Sequence, residues 1–150
     1  MPKVSRSRVV AATREQVWSL VSDPHSLPRW WPRTLRVEDV QGSGRRARWT
    51  AVLETERGTG VRADFRCDAA TEPTRIAWSQ EIEGTPFERI LRASALEIVI
   101  EPRDRTAAEV TLTADETLRG LSRLGAGMVR GATRKRLDEA LDGIEMAVAR

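Results

Sequence analysis

The segment Val17-Trp18-Ser19-Leu20-Val21-Ser22-Asp23-Pro24-His25-Ser26-Leu27-Pro28-Arg29-Trp30-Trp31-Pro32 decides how the rest of this chain is read. It opens behind Thr13-Arg14-Glu15-Gln16, a capping box in which the Thr hydroxyl and the Gln side chain satisfy each other's free backbone N–H groups. Val17, Trp18, Leu20 and Val21 follow at helical spacing, and Asp23-Pro24 ends the helix. A second short helix or turn runs through His25–Trp31 and stops at Pro32. Prolines thus frame two adjacent tryptophans, either as plugs of a core corner or as the rim of an apolar binding place.

On both sides of this segment the pattern is β. Residues 4–11 have strand character. Beyond Leu35 and Val37, the residues Ala47, Trp49, Ala51 and Leu53 alternate with Arg46, Arg48, Thr50 and Glu54, predicting a strand with one wet face. Val61, Ala63, Phe65 and Cys67 alternate with Arg62, Asp64, Arg66 and Asp68. Ile76, Trp78, Gln80 and Ile82 face inward on the next strand, after the turn at Glu72-Pro73-Thr74. Residues 88–101 and 105–118 are expected as two longer strands. Gly42-Ser43-Gly44, Gly58-Thr59-Gly60 and Pro102-Arg103-Asp104 supply further turns.

From about Leu121 to Val148 the chain reads as one proline-free helix, long enough at ~1.5 Å per residue to cross a small sheet. Leu137, Ala140, Leu141, Ile144 and Val148 form one apolar face. Extended backwards, that face passes through Thr133, Val129, Ala126 and Ser122, all small or slender, while Leu121, Leu124 and Met128 fall nearly opposite. A helix with large anchors at one end and small residues at the other leaves space against the sheet, and a dry void there is penalised. The alternative is a helix kinked near Gly125, Gly127 and Gly131, which would turn the leucines inward.

Composition narrows the class. With 40 % hydrophobic and 31 % charged residues in 150, one globular domain over residues 1–150 is expected. No apolar run approaches the ~20 residues of a membrane span, and the N-terminus lacks the apolar region of a signal peptide, so a cytoplasmic protein is expected. The net charge of +3 comes from 25 basic and 22 acidic residues mixed along the chain. That mixing argues against nucleic acid as a partner, and the cluster Arg130, Arg134, Lys135 and Arg136 reads as a solvated helix face. One cysteine, Cys67, and one histidine, His25, give no converging metal-ligand set, so neither a metal nor a cofactor is expected. No phosphate-binding glycine loop or nucleophile elbow is present.

Residues 17–40, VWSLVSDPHSLPRWWPRTLRVEDV, resemble the corresponding segment of the polyketide cyclase/dehydrase group in the START-like (SRPBCC) superfamily. The shared features are Trp18 in the first helix, the Asp23-Pro24 turn and the stretch Trp30-Trp31-Pro32. The resemblance implies an α+β helix-grip fold. In it, a curved antiparallel sheet of about seven strands wraps a long C-terminal helix, with two short helices between the first two strands. It also implies an elongated apolar cavity, with Trp30 rather than Trp31 turned into it. It does not imply one activity, because folds of this kind host carriers and enzymes alike.

On the inner face, alternation nominates Trp49, Phe65, Trp78, Leu96, Ile98 and Leu112 as lining, with Val129 and Thr133 from the helix. Gln80, Arg92 and Glu116 are the polar side chains expected on that face. Arg92 and Glu116, on consecutive strands, are expected to pair. They either close the cavity mouth or act as catalysts, Arg92 stabilising an enolate oxygen and Glu116 moving a proton. His25 is expected at the surface and Cys67 buried as a small hydrophobe. The leading expectation is a binding site for a hydrophobic small molecule such as a lipid, polyketide, isoprenoid or aromatic metabolite. A cyclase, aromatase or dehydratase using the same cavity is the alternative. A docking stripe of Leu121, Leu124 and Met128 is a third, in a monomer or homodimer.

Overall fold

The computed structural model describes residues 3–55, 57–120 and 123–149, without the side chains of Arg123, Leu124 and Ala126. Strands β1 (Lys3–Val10), β2 (Thr34–Gln41), β3 (Arg48–Glu54), β4 (Gly60–Thr71), β5 (Arg75–Glu81), β6 (Leu91–Pro102) and β7 (Ala108–Leu118) form one antiparallel sheet. Their order is β1-β7-β6-β5-β4-β3-β2. The first two strands are therefore the two edges. The segment between them, helix α1 (Arg14–Val21), a 3-10 turn (Pro24–Ser26) and helix α2 (Leu27–Trp30), carries the chain from one edge to the other. Helix α3 (Arg123–Val148) follows β7 and lies against the sheet's inner face. This is the helix-grip arrangement.

Local chemistry explains the crossover. The amide of Gln16 donates to Thr13 Oγ1 at 3.1 Å and the amide of Thr13 to Gln16 Oε1 at 2.8 Å, closing the capping box. Asp23 Oδ1 accepts from the His25 amide at 3.0 Å, so the residue that stops α1 also starts the next turn. Trp30 is buried to 2 % exposure, while Trp31 packs edge-on against it at 5.6 Å and stays half-buried.

Helix α3 is continuous from Arg123 to Val148, without a break at its glycines. Its C-terminal half supplies the anchors: Leu137, Ala140, Leu141 and Ile144 are fully buried in the core with Ile98, Ile100, Val110 and Leu112. Burial of each such leucine, isoleucine or valine side chain contributes about 1.5–3 kcal/mol. An ionic ladder adds to this seam. Arg6 and Arg8, whose strand partners Leu112 and Val110 are core residues, reach the helix. Arg6 Nε donates to Asp138 at 2.8 Å, and Arg8 pairs with Asp142 and Glu145. These acids are spaced at i, i+4 and i+7, one face of a helix.

Three sequence expectations change. The sixth strand begins at Leu91, because Pro86–Arg89 forms a 3-10 turn. A β-bulge between Leu91 and Ala93 then takes up one residue. Ile90 is consequently 58 % exposed while Leu91 is buried. The seventh strand begins at Ala108, three residues late, because the Asp104 carboxylate accepts from the Thr106 amide at 2.8 Å and turns the chain. Thr50, expected on a wet face, is buried and donates to Asp64 Oδ1 at 2.6 Å.

Candidate functional site

Strand register assembles a lateral row of side chains on the inner face. Trp49 of β3 stands opposite Phe65 of β4, and Phe65 opposite Gln80 of β5. Gln80 lies one step past Ser79–Ala95, the last pair of β5 with β6, which sets it beside Ser94. Ser94 stands opposite Glu116 of β7. The row Trp49–Phe65–Gln80–Ser94–Glu116 thus crosses the sheet at one depth.

The rows on either side are apolar. Toward the α1–α2 crossover lie Cys67, Trp78, Leu96 and Ala114, followed by Ile76, Ile98 and Leu112. On the other side Ala51 pairs with Ala63 and Leu91 with Leu118. The polar row is a belt between two greasy bands, the make-up of a site that orients an otherwise apolar guest.

Aromatic rings build the β3–β5 end of the belt. Trp49 stacks on Phe65 at 5.9 Å and meets Trp78 edge-on at 5.5 Å; Trp78 lies 6.2 Å from Trp30. Trp49 is 4 % exposed and Phe65 half-buried. Beneath this cluster, near the crossover, a crevice lined by Val21, Leu27, Ala47, Trp49, Cys67 and Trp78 has a free volume of about 10 Å³. That is about what one water needs, so this end of the inner face is closed by side chains.

A polar cluster forms the other end. Glu116 is paired with Arg136 of α3, and accepts longer bonds from Thr133 Oγ1 and Ser94 Oγ, each 3.4 Å. Thr133 is 5 % exposed, Val129 half-buried, and both lie on the turns of α3 that carry small side chains. Ser122, Leu121 and the side chains of Leu124 and Ala126 lie outside the described residues.

The expected pairing of Arg92 with Glu116 is not the one observed. Arg92 sits in the β6 bulge, exposed, and Glu116 takes its cation from the helix instead. Of the basic cluster expected as a solvated helix face, Arg130, Arg134 and Lys135 are exposed, but Arg136 is half-buried. Its own position, one turn beyond Thr133, returns it to the inner side.

Several buried polar atoms have no acceptor or donor partner among the described residues. They include Trp49 Nε1, Trp30 Nε1, Gln80 Nε2 and Arg136 Nε. Cys67 is buried, its thiol pushed up by burial, and contacts the Ala69 carbonyl at 3.4 Å. His25 is exposed, and no cluster of metal-ligating side chains occurs among the described residues. Met128 is 79 % exposed, on the outer side of α3. No helix among the described residues is long and apolar enough to cross a membrane.

Comparison with known proteins adds three findings. A family model described as polyketide cyclase/dehydrase and lipid transport matches residues 1–149. None of the curated proteins compared with the chain matches it. Among solved structures, the di-domain ARO/CYC BexL of the BE-7585A biosynthetic pathway superposes with a TM-score of 0.80 at 22 % identity, covering 99 % of this chain and 47 % of that one. The chain therefore spans about half the length of that protein. The Zhui aromatase/cyclase of Streptomyces sp. R1128 gives a TM-score of 0.79 at 20 % identity, covering 99 % and 94 %. A START superfamily protein of Mycobacterium smegmatis gives 0.79 at 18 % identity, covering 98 % and 97 %. At such identities these likenesses show the fold alone.

Proposed function

Since the chain belongs to the polyketide cyclase/dehydrase and lipid transport family, a START-like family, we propose that it binds a hydrophobic small molecule in a cavity between the sheet and α3. The observation that carries this reading is the row Trp49–Phe65–Gln80–Ser94–Glu116. It combines flat apolar faces with a few convergent polar groups, held between apolar bands at one depth. Across the belt α3 presents Val129 and Thr133, slenderer side chains than the Leu137 and Leu141 that follow them along the helix. Trp30, Trp78, Leu96 and Leu112 supply the apolar wall and floor, and residues 1–150 act as one domain.

Native mass spectrometry of the protein as purified tests the reading. A co-purified apolar molecule is expected, or failing that a thermal shift with members of a lipid and aromatic panel. A clean unliganded mass with no shift across the panel overturns it.

A second reading, a cyclase, aromatase or dehydratase, draws on one specific observation. Glu116 is a half-buried carboxylate at the end of the row away from the aromatic rings, with a cation fixed against it. In that reading the cavity restricts the substrate's conformations and Glu116 moves the proton, while Arg92 at the bulge acts only at the entrance. Glu116→Ala with binding retained and turnover lost supports it; equal turnover with and without Glu116 counts against it.

A further inference from the structure

The two edges of the sheet are built differently. At β2 the register with β3 shifts between Thr34 and Arg36 and again between Glu38 and Gln41, and Asp39 sits at a φ of 52°. Arg36 and Arg62 hold Glu38 between them, so that edge is both bent and charged. Bulges and charges of this kind keep a further strand from adding to a sheet. β1 has no such bend. It pairs with β7 from Lys3–Asp115 to Val10–Ala108 without a register shift, and among the described residues no strand lies on its other side.

The charges of β1 are answered from within the chain. Val4, Arg6, Arg8 and Val10 share the inner face with the buried Ala114, Leu112, Val110 and Ala108, while Lys3, Ser5, Ser7 and Val9 face outward. On the outer face Ser5 and Ser7 share hydrogen bonds of 2.8 Å with Thr113 and Thr111, which leaves its middle short and uncharged. On the inner face Arg6 and Arg8 turn toward α3, where the carboxylates of Asp138, Asp142 and Glu145 outnumber them. Like charges set opposite each other oppose strand pairing. The surplus carboxylate offsets that repulsion when a second pair of arginines draws near.

These features fit a second copy of the chain. Edge pairing joins main-chain N–H and C=O groups otherwise left to water, and a two-fold axis lets one strand serve both sides of the contact. Set antiparallel to its copy, β1 brings Lys3 to the Val9–Val10 end of the other strand and away from the other lysine. Opposed residues of an antiparallel pair point to one face. Keeping both α3 helices on the same side of a joined sheet therefore centres the contact on Arg6 or Ser7.

We propose that β1 is a homodimer interface, through which two copies join edge to edge into one continuous antiparallel sheet. The contact does not depend on the small-molecule reading above, and either can fail without the other.

A strand edge is a small interface, so association is weak and concentration-dependent. Sedimentation velocity of the full chain from about 1 µM to about 1 mM is expected to show monomer giving way to dimer. Ser7→Lys sets a charge at the centre of the outer face and should raise the dimer dissociation constant several-fold, whereas Ser7→Thr, which keeps the hydroxyl, should not. Ser7→Cys should crosslink between copies with a short bismaleimide, while the wild-type protein, whose Cys67 is buried, should not. That crosslink carries the test by itself where Ser7→Lys compromises folding. A monomer throughout the concentration range overturns the inference, and so does a dimer that fails to crosslink at position 7, which would put the contact elsewhere.

Discussion

A Cβ placed on Gly143 would stand 2.7 Å from the Cα of Trp30, so α3 crosses α2 backbone against backbone. That contact sets the tryptophan whose ring closes one end of the aromatic cluster.

Gly143→Ala is therefore expected to destabilise the protein. Helix propensity alone would favour alanine by ~1 kcal/mol, but displacing two helix backbones costs more, about 1–3 kcal/mol net. Gly131 is the control. A Cβ there meets nothing within 4 Å, so Gly131→Ala should stabilise by up to ~1 kcal/mol. Urea unfolding of the two variants checks both signs; the same sign for both would contradict the packing described.

Removing Arg136 strands Glu116, whose side chain is only 17 % exposed. Arg136→Met should cost about 1–2 kcal/mol, below the range for a fully buried pair because Arg136 itself is partly solvated. Adding Glu116→Gln should recover part of the loss. An unchanged unfolding midpoint in Arg136→Met would show the pair to be incidental.

The ladder of Arg6 and Arg8 on Asp138, Asp142 and Glu145 faces solvent on its outer side. Arg8→Met is expected to lower stability by less than about 1 kcal/mol in dilute buffer. At 1 M salt the Debye length falls to ~3 Å and the difference from wild type should shrink. A salt-independent difference would assign the loss to packing of the arginine stem instead.

Burial raises the Cys67 thiol above its ordinary value. Less of the reactive thiolate exists at pH 8, and the sulfur is shielded as well. Alkylation by iodoacetamide should be many-fold slower than for free cysteine and should approach the free rate in denaturant. Rapid labelling of the native protein would place Cys67 at the surface.

Much of this fold is legible in local sequence, because local chemistry builds those parts. The Thr13–Gln16 box, the Asp23 cap and the alternation of β4 all appear where the residues specify them. The burial of Trp49, Trp78, Leu96 and Leu112 on the inner face follows from the same period-two rule. Alternation fails at bulges, because one extra residue reverses the faces of everything behind it. The shift at Leu91/Ala93 therefore removes Ile90 and Arg92 from the inner face while leaving Leu96 and Ile98 in place. The Glu116–Arg136 pair and the Gly143–Trp30 contact join segments far apart in the chain. No local pattern encodes them, and they emerge only once α3 is docked.

The anchored half of α3 has one more consequence. Leu137, Leu141 and Ile144 seal the inner face against Ile98 and Leu112, so depth is a ruler with a hard stop. Under the proposed binding reading, a guest with a longer tail would gain no room below that stop, so the position of a functional group along a molecule, rather than total length, is what the architecture would measure.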